Sequence, residues 1–135
     1  MYKKIAYSEL SPKQQEIYNF QKVAGILAEY GFNCIKLSND WNGADFLAYH
    51  FNQNKTLKVQ LKGRVTIRQK YLGKGIYMAF PIDSEWHLIK HDELVKIIRE
   101  CTKWLDSDAW NQGGYDSGKP SRELKRRLNK YKLLS

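Results

Sequence analysis

Asp45, Gln60 and Lys62 are the residues of this chain whose types and spacing could do chemistry. Asp45 lies near the start of a run, Ala44 to Phe51, that reads as a strand. Gln60-Leu61-Lys62 sits late in a second run, Thr56 to Arg64. In that second run Leu57, Val59 and Leu61 face one way and Lys58, Gln60 and Lys62 the other. The polar stretch Asn52-Gln53-Asn54 supplies a turn between them. If the hairpin pivots about Asn52 and Gln53, Asp45 stands across from Gln60. Opposed residues of an antiparallel pair share a face, so Asp45, Gln60 and Lys62 would converge. A slip of one residue would turn Asp45 away. A carboxylate beside an amide oxygen and a backbone carbonyl, that of Leu61, suits Mg²⁺, with Mn²⁺ as a substitute. A neighbouring lysine can orient a water, or help remove its proton, for attack on phosphorus, while the metal steadies the developing negative charge. Such a set would suit phosphodiester hydrolysis.

The elements that must position these residues are legible in outline. Ser11-Pro12-Lys13-Gln14 is a capping box with proline at the first helical position, and it opens a helix running from about Pro12 to Tyr30. Ile17, Phe20, Ala24 and Leu27 recur there at helical spacing, and Gly31 stops it. Phe32 to Leu37 predicts a short strand, followed by a polar loop from Ser38 to Gly43. Ile76 to Phe80 and Trp86 to Lys90 read as two more strands. Asp92 is placed to cap a helix reaching about Cys101, with Leu94, Val95, Ile97 and Ile98 on its buried side. Residues 111–120 are rich in glycine and polar residues and read as a mobile loop. Ser121 to Tyr131 reads as a basic helix with Leu124, Leu128 and Tyr131 on one stripe. Helix, strands, helix, helix is the order of an α/β fold with a central mixed sheet.

Charge narrows the range of partners. The 135 residues carry a net charge of +9, which favours a polyanion. The excess is concentrated. Residues 46–82 contain no acid but carry Lys55, Lys58, Lys62, Arg64, Arg68, Lys70 and Lys74. From Lys119 to Ser135, seven cations face Glu123 alone. Aromatic residues are interleaved with both blocks, as in surfaces that hold a nucleic-acid backbone. No apolar run is long enough to span a bilayer, and the polar start lacks the apolar stretch of a signal peptide. Cys34 and Cys101 form no CxxC pair and read as half-buried thiols in a reducing cytosol. The expected location is therefore cytoplasmic, away from membranes.

Other features read as structural. His87 and His91, four apart, straddle a strand end rather than one helical face. His50 reads as an exposed turn residue. Trp41 could stack on a base but is expected to pack in the core. Gly73-Lys74-Gly75 is too short for a phosphate loop.

At Gly43-Ala44-Asp45-Phe46 and Val59-Gln60-Leu61-Lys62 the sequence resembles the PD-(D/E)xK nuclease superfamily, which includes restriction-type endonucleases and Holliday-junction resolvases. The leading helix ending in Gly31-Phe32, the strand Ile76 to Phe80 and the strand Trp86 to Ile89 before a helix come in that family's order. The resemblance covers roughly residues 12 to 101. It implies a restriction-endonuclease-like mixed sheet flanked by helices and Mg²⁺ as the cofactor. Asp45 would be the invariant-type metal ligand, Gln60 would take the second ligand position, and Lys62 the lysine position. The family's proline is missing before Asp45, and Gln60 replaces the usual acid, as in one branch of the superfamily. A further acid is therefore wanted. Glu16 is the best placed, because it shares a helical stripe with Phe20, Val23 and Leu27. It also reads as a first-turn acid complementing the helix dipole. Asp40 is the weaker alternative, as a solvated loop residue.

The expectation that follows is a Mg²⁺-dependent DNA endonuclease, with Asp45, Gln60, Leu61 and Glu16 at the metal and Lys62 at the attacking water. Lys58, Arg64, Arg68, Lys70 and Lys74 would hold the backbone beside the site. Arg122, Lys125, Arg126, Arg127 and Lys130 would form a second clamp. Residues 1–110 form the nuclease core, and 121–135 the basic helix of the same domain. One active site per chain makes a homodimer the natural form for cutting two strands. The alternative is a non-catalytic nucleic-acid-binding module on a decayed nuclease fold, with a protein-interaction domain as a third reading.

Overall fold

The computed structural model describes residues 1–134, so Ser135 of the expected basic C-terminal segment lies outside the described residues. Helix α1, Pro12–Glu29, opens on the expected capping box: Ser11 Oγ accepts the Gln14 N–H at 3.2 Å and Gln14 Oε1 accepts the Ser11 N–H at 2.8 Å. Its sheet-facing stripe runs through Phe20, Val23 and Leu27. Ile17, expected on the apolar face, is instead exposed, because it lies one position round the helix from that stripe.

Five strands form the main sheet: β1 (Phe32–Trp41), β2 (Ala44–His50), β3 (Thr56–Leu61), β5 (Ile76–Ile82) and β6 (Glu85–Lys90), hydrogen-bonded in that order. Only β3 and β5 run parallel, so the sheet is mixed and the fold is α/β, as expected. The short strand β4, Val65–Arg68, interrupts the acid-free segment and pairs with β7, Gly114–Ser117. Residues 111–120, expected as a loop, therefore contain a strand that closes a small second sheet.

One face of the main sheet packs on α1, where Phe46, Ala48, Leu57, Val59 and Ala79 meet Val23 and Leu27. The other face packs Ile76, Met78, Phe80 and Ile89 against α2 (His91–Cys101) and α3 (Arg122–Leu128) through Leu94, Ile98, Leu124 and Leu128. Asp92 is not the cap of α2, which begins at His91. Its carboxylate instead accepts the Gly73 N–H at 3.0 Å. The basic helix is shorter than expected, ending at Leu128 and followed by a single 3₁₀ turn.

On that second face β1 and the outer part of β2 are left bare. Trp41, expected in the core, is instead 54% exposed, at the end of β1, which is an edge strand. Among the described residues no helix is long and apolar enough to cross a membrane.

Candidate active site

The β2–β3 hairpin decides the site. Its register pairs Phe46 with Val59, Leu47 with Lys58, Ala48 with Leu57 and Tyr49 with Thr56, which is the alignment expected from a pivot about Asn52 and Gln53. One step further along the same ladder sets Asp45 beside Gln60. Asp45 Oδ2 accepts the Leu61 N–H at 2.8 Å, fixing the carboxylate against the end of β3. The Lys62 N–H donates to the Ala79 carbonyl at 2.9 Å, which anchors the lysine backbone to β5. Asp45, Gln60, Leu61, Lys62, Lys36 and Glu16 line one cavity of about 170 Å³.

Gln60 is almost fully buried, and its Oε1 has no hydrogen-bond partner among the described residues. An orphaned amide oxygen is costly in a protein interior unless something else completes it. The charges nearby are similarly poised. Burial pushes the Asp45 carboxyl above its ordinary 3.8, the Leu61 N–H pulls it down, and the neighbouring Asp40 carboxylate pushes it up again. Burial lowers the Lys62 ammonium below its ordinary 10.5, helped by Arg68 and Lys70 and opposed by Asp45 and Asp40. A cation placed among these oxygens would relieve the acids.

Asp40 enters through an irregularity. β1 follows β2 in step from Phe32–His50 to Lys36–Phe46, and then the register jumps to Trp41–Ala44. Uninterrupted pairing would have set Leu37 across from Asp45. The jump leaves residues 37–40 bulged opposite Asp45, with Asp40 nearest the Trp41–Ala44 pair and its carboxylate beside that of Asp45. The turn beyond is Asn42-Gly43, with φ of +50° and +86°, both positive as a two-residue type I′ hairpin loop requires. Asn-Gly between strands is the sequence signal that could have shown β1 running on to Trp41. Reading 38–43 as a loop concealed it. Asp40 also lines a second cavity of about 570 Å³ with Lys58, Lys70, Lys74 and Tyr71.

Glu16 lines the Asp45 cavity, but its side chain is largely exposed and lies 3.8 Å from Lys13 Nζ. The two basic blocks differ. Lys58 Nζ donates to the Lys74 carbonyl at 2.7 Å, and Lys58, Lys70 and Lys74 have no acidic partner within 4 Å among the described residues. Arg64 and Arg68 share Asp116, at 3.0 and 3.8 Å. On the C-terminal helix Lys125 pairs with Asp83, Arg126 with Glu123 and Arg127 with Glu100, at 3.2, 2.7 and 2.7 Å. Lys130 sits over the Tyr131 ring, and Arg122 is exposed. None of these five lines the Asp45 cavity.

The histidines are structural. His87 and His91 are buried apart from one another in function: His87 Nδ1 lies 2.9 Å from the Glu85 carbonyl, while His91 Nε2 accepts the Arg68 N–H at 3.1 Å. His50, expected as an exposed turn residue, is buried. Its Nδ1 accepts the Asn52 and Gln53 N–H groups and so organises the hairpin turn from inside. Among the described residues no three His, Cys, Asp or Glu side chains gather into a metal-ligating group. A cation here would depend on a carboxylate pair and on neutral oxygens.

No protein-family model matches the chain, and no curated protein matches it. Among solved structures it is similar to a bacterial homing endonuclease, I-Ssp6803I, with a TM-score of 0.50 over 91% of this chain and 87% of that one, at 13% identity. At that identity the likeness concerns the fold alone, and the chain shares the α/β architecture of that protein.

Proposed function

We propose that this chain is a metal-dependent DNA endonuclease that hydrolyses phosphodiester bonds at a centre formed by Asp45, Gln60 and Lys62. The observation that carries this reading is the buried, unpartnered Gln60 Oε1 in the cavity that Asp45 and Lys62 also line. The donor set fits Mg²⁺, or Mn²⁺ in its place: the Asp45 carboxylate, Gln60 Oε1 and the Leu61 carbonyl are hard oxygens. When bound, the ion supplies charge neutralisation at the phosphate under attack. Lys62 orients the attacking water and takes its proton at Nζ, a role eased by the burial that lowers its ammonium pKa. Lys58, Lys70 and Lys74 hold the flanking phosphates, with Arg64 and Arg68 behind them. A homodimer cuts both strands. The fold shared with a protein named as a homing endonuclease supports the same reading.

A second reading, a nucleic-acid-binding module on a decayed nuclease fold, is favoured by the neutral Gln60 where an acid would hold metal more firmly. Cleavage of supercoiled plasmid and branched DNA with Mg²⁺ or Mn²⁺, by the unaltered chain and by Lys62→Ala, tests the two. Metal-dependent cutting that the substitution abolishes supports the endonuclease. Salt-sensitive binding by both proteins without cutting supports the module, and cutting that survives the substitution overturns the assigned centre.

A further inference from the structure

We infer that Asp40, carried across from Asp45 by the register jump in β1, is the second carboxylate of the metal centre and that Glu16 is not. This rests on the metal-dependent reading above and names the acid that the neutral Gln60 leaves wanting.

Between the Lys36–Phe46 and Trp41–Ala44 pairs, residues 37–40 of β1 bulge opposite Asp45 alone, and the Asp40 carboxylate lies beside that of Asp45; past Phe46–Val59 the β2–β3 ladder leads to Asp45 and Gln60. The parallel pairing then continues from Gln60 to Met78. Asp40, Asp45 and Gln60 thus come from three adjacent strands at one end of the sheet. Like charges directly opposed in a sheet are destabilising, so the Asp40–Asp45 pair costs stability by itself. Beside it stands the buried Gln60 oxygen without a partner. A divalent cation meets both needs at once: two negative charges match its own, and the amide oxygen gains a ligand bond. Glu16 has neither property. It lies on an exposed helical turn with Lys13 as its neighbour. It must reach the centre from a different element, whereas Asp40 and Asp45 are held on hydrogen-bonded neighbours.

The test is Mn²⁺ titration of the full chain without DNA, read by the electron paramagnetic resonance of free Mn²⁺, for the unaltered protein and for Asp40→Asn, Glu16→Gln and Asp45→Asn. Melting with and without Mn²⁺ accompanies it. Asp40→Asn is expected to weaken binding at least tenfold and Glu16→Gln by less than about threefold. Removing one of two opposed charges should also raise the melting temperature of the metal-free Asp40→Asn protein while shrinking its rise on adding Mn²⁺. A purely structural Asp40 would give neither change. If Asp40→Asn does not fold, Asp40→Ser serves in its place. Mn²⁺ affinity unchanged in Asp40→Asn but lost in Asp45→Asn overturns this inference and leaves the metal centre standing. So does a tenfold loss confined to Glu16→Gln. Absence of Mn²⁺ binding by the unaltered chain overturns the metal-dependent function itself.

Discussion

Asp45 Oδ2 accepts the Leu61 backbone N–H at 2.8 Å, so the acid at the start of β2 is tied to the last residue of β3 by a bond outside the ladder. One carboxylate oxygen is thereby fixed against the end of β3, and the carboxylate lies beside that of Asp40.

Asp45 therefore carries structure as well as its proposed chemistry, and two substitutions separate the roles. Asp45→Ala leaves the half-buried Leu61 N–H without an acceptor and should cost about 1–2 kcal/mol of stability. Asp45→Asn keeps an acceptor oxygen and should cost less. Cleavage should fall in both by roughly 100-fold or more. Urea midpoints and plasmid cleavage measured side by side check this. Equal midpoints for the two variants would show that the Leu61 bond is dispensable.

Gly43 sets the turn that delivers Asp40 and Asp45. Its φ of +86° disfavours any side chain, and a Cβ there would meet Ile76 Cδ1 at 3.2 Å. Gly73, at φ +70°, would meet nothing within 4 Å. Gly73→Ala should cost the left-handed term alone, about 1 kcal/mol. Gly43→Ala should cost more, and it alone should impair cleavage, because only it disturbs the β1–β2 turn. Thermal melts of the two variants give the comparison directly.

The legible parts of the sequence were those set by strict period or by a local cap. The capping box at Ser11 opens α1, and the short polar turn about Asn52 and Gln53 sets the β2–β3 register that the alternation of Leu57 to Lys62 alone left open. What escaped notice depends on tertiary pairing. Asp40 reaches Asp45 only through a shift of register, which no alternation in residues 32–41 announces. Strand β4 is intelligible only with its partner β7, some fifty residues on. His50 is buried because the turn folds over it, although its neighbours Phe51 and Asn52 are exposed. Two of the acids that pair with the C-terminal cations, Asp83 and Glu100, lie just before β6 and at the end of α2, far away in sequence.

His91 ties stability to pH. It is buried and neutral, with Nε2 accepting the Arg68 N–H and Nδ1 facing Asp92 at 3.2 Å. Burial lowers its pKa below the ordinary 6.5, against the pull of Asp92. Above pH 6.5 neither the folded nor the unfolded chain protonates this ring, and its contribution is complete. As pH falls from 6.5 toward the lower folded value, the unfolded chain takes up the proton first. Stability is then lost at up to about 1.4 kcal/mol per pH unit. His91→Gln removes the titration, so its stability should fall less steeply than that of the unaltered protein between pH 6.5 and 5. Parallel slopes in urea titrations at several pH values would remove His91 from the account.

The pairing of the cations predicts which block touches DNA. Each phosphate neutralised contributes about 0.9 to the slope of log affinity against log salt. Lys70 and Lys74 have no acidic partner among the described residues and border the Asp40 cavity, so Lys70→Ala and Lys74→Ala should each lower the slope by about one. Arg127 is engaged by Glu100 at 2.7 Å, and Leu124 and Leu128 hold its helix against α2. A phosphate would have to displace that carboxylate, so Arg127→Ala should leave the slope nearly unchanged. Binding isotherms on one duplex at four or five salt concentrations decide the matter. A fall of one unit for Arg127→Ala, with none for Lys74→Ala, would move the DNA path from the acid-free segment to the C-terminal helix.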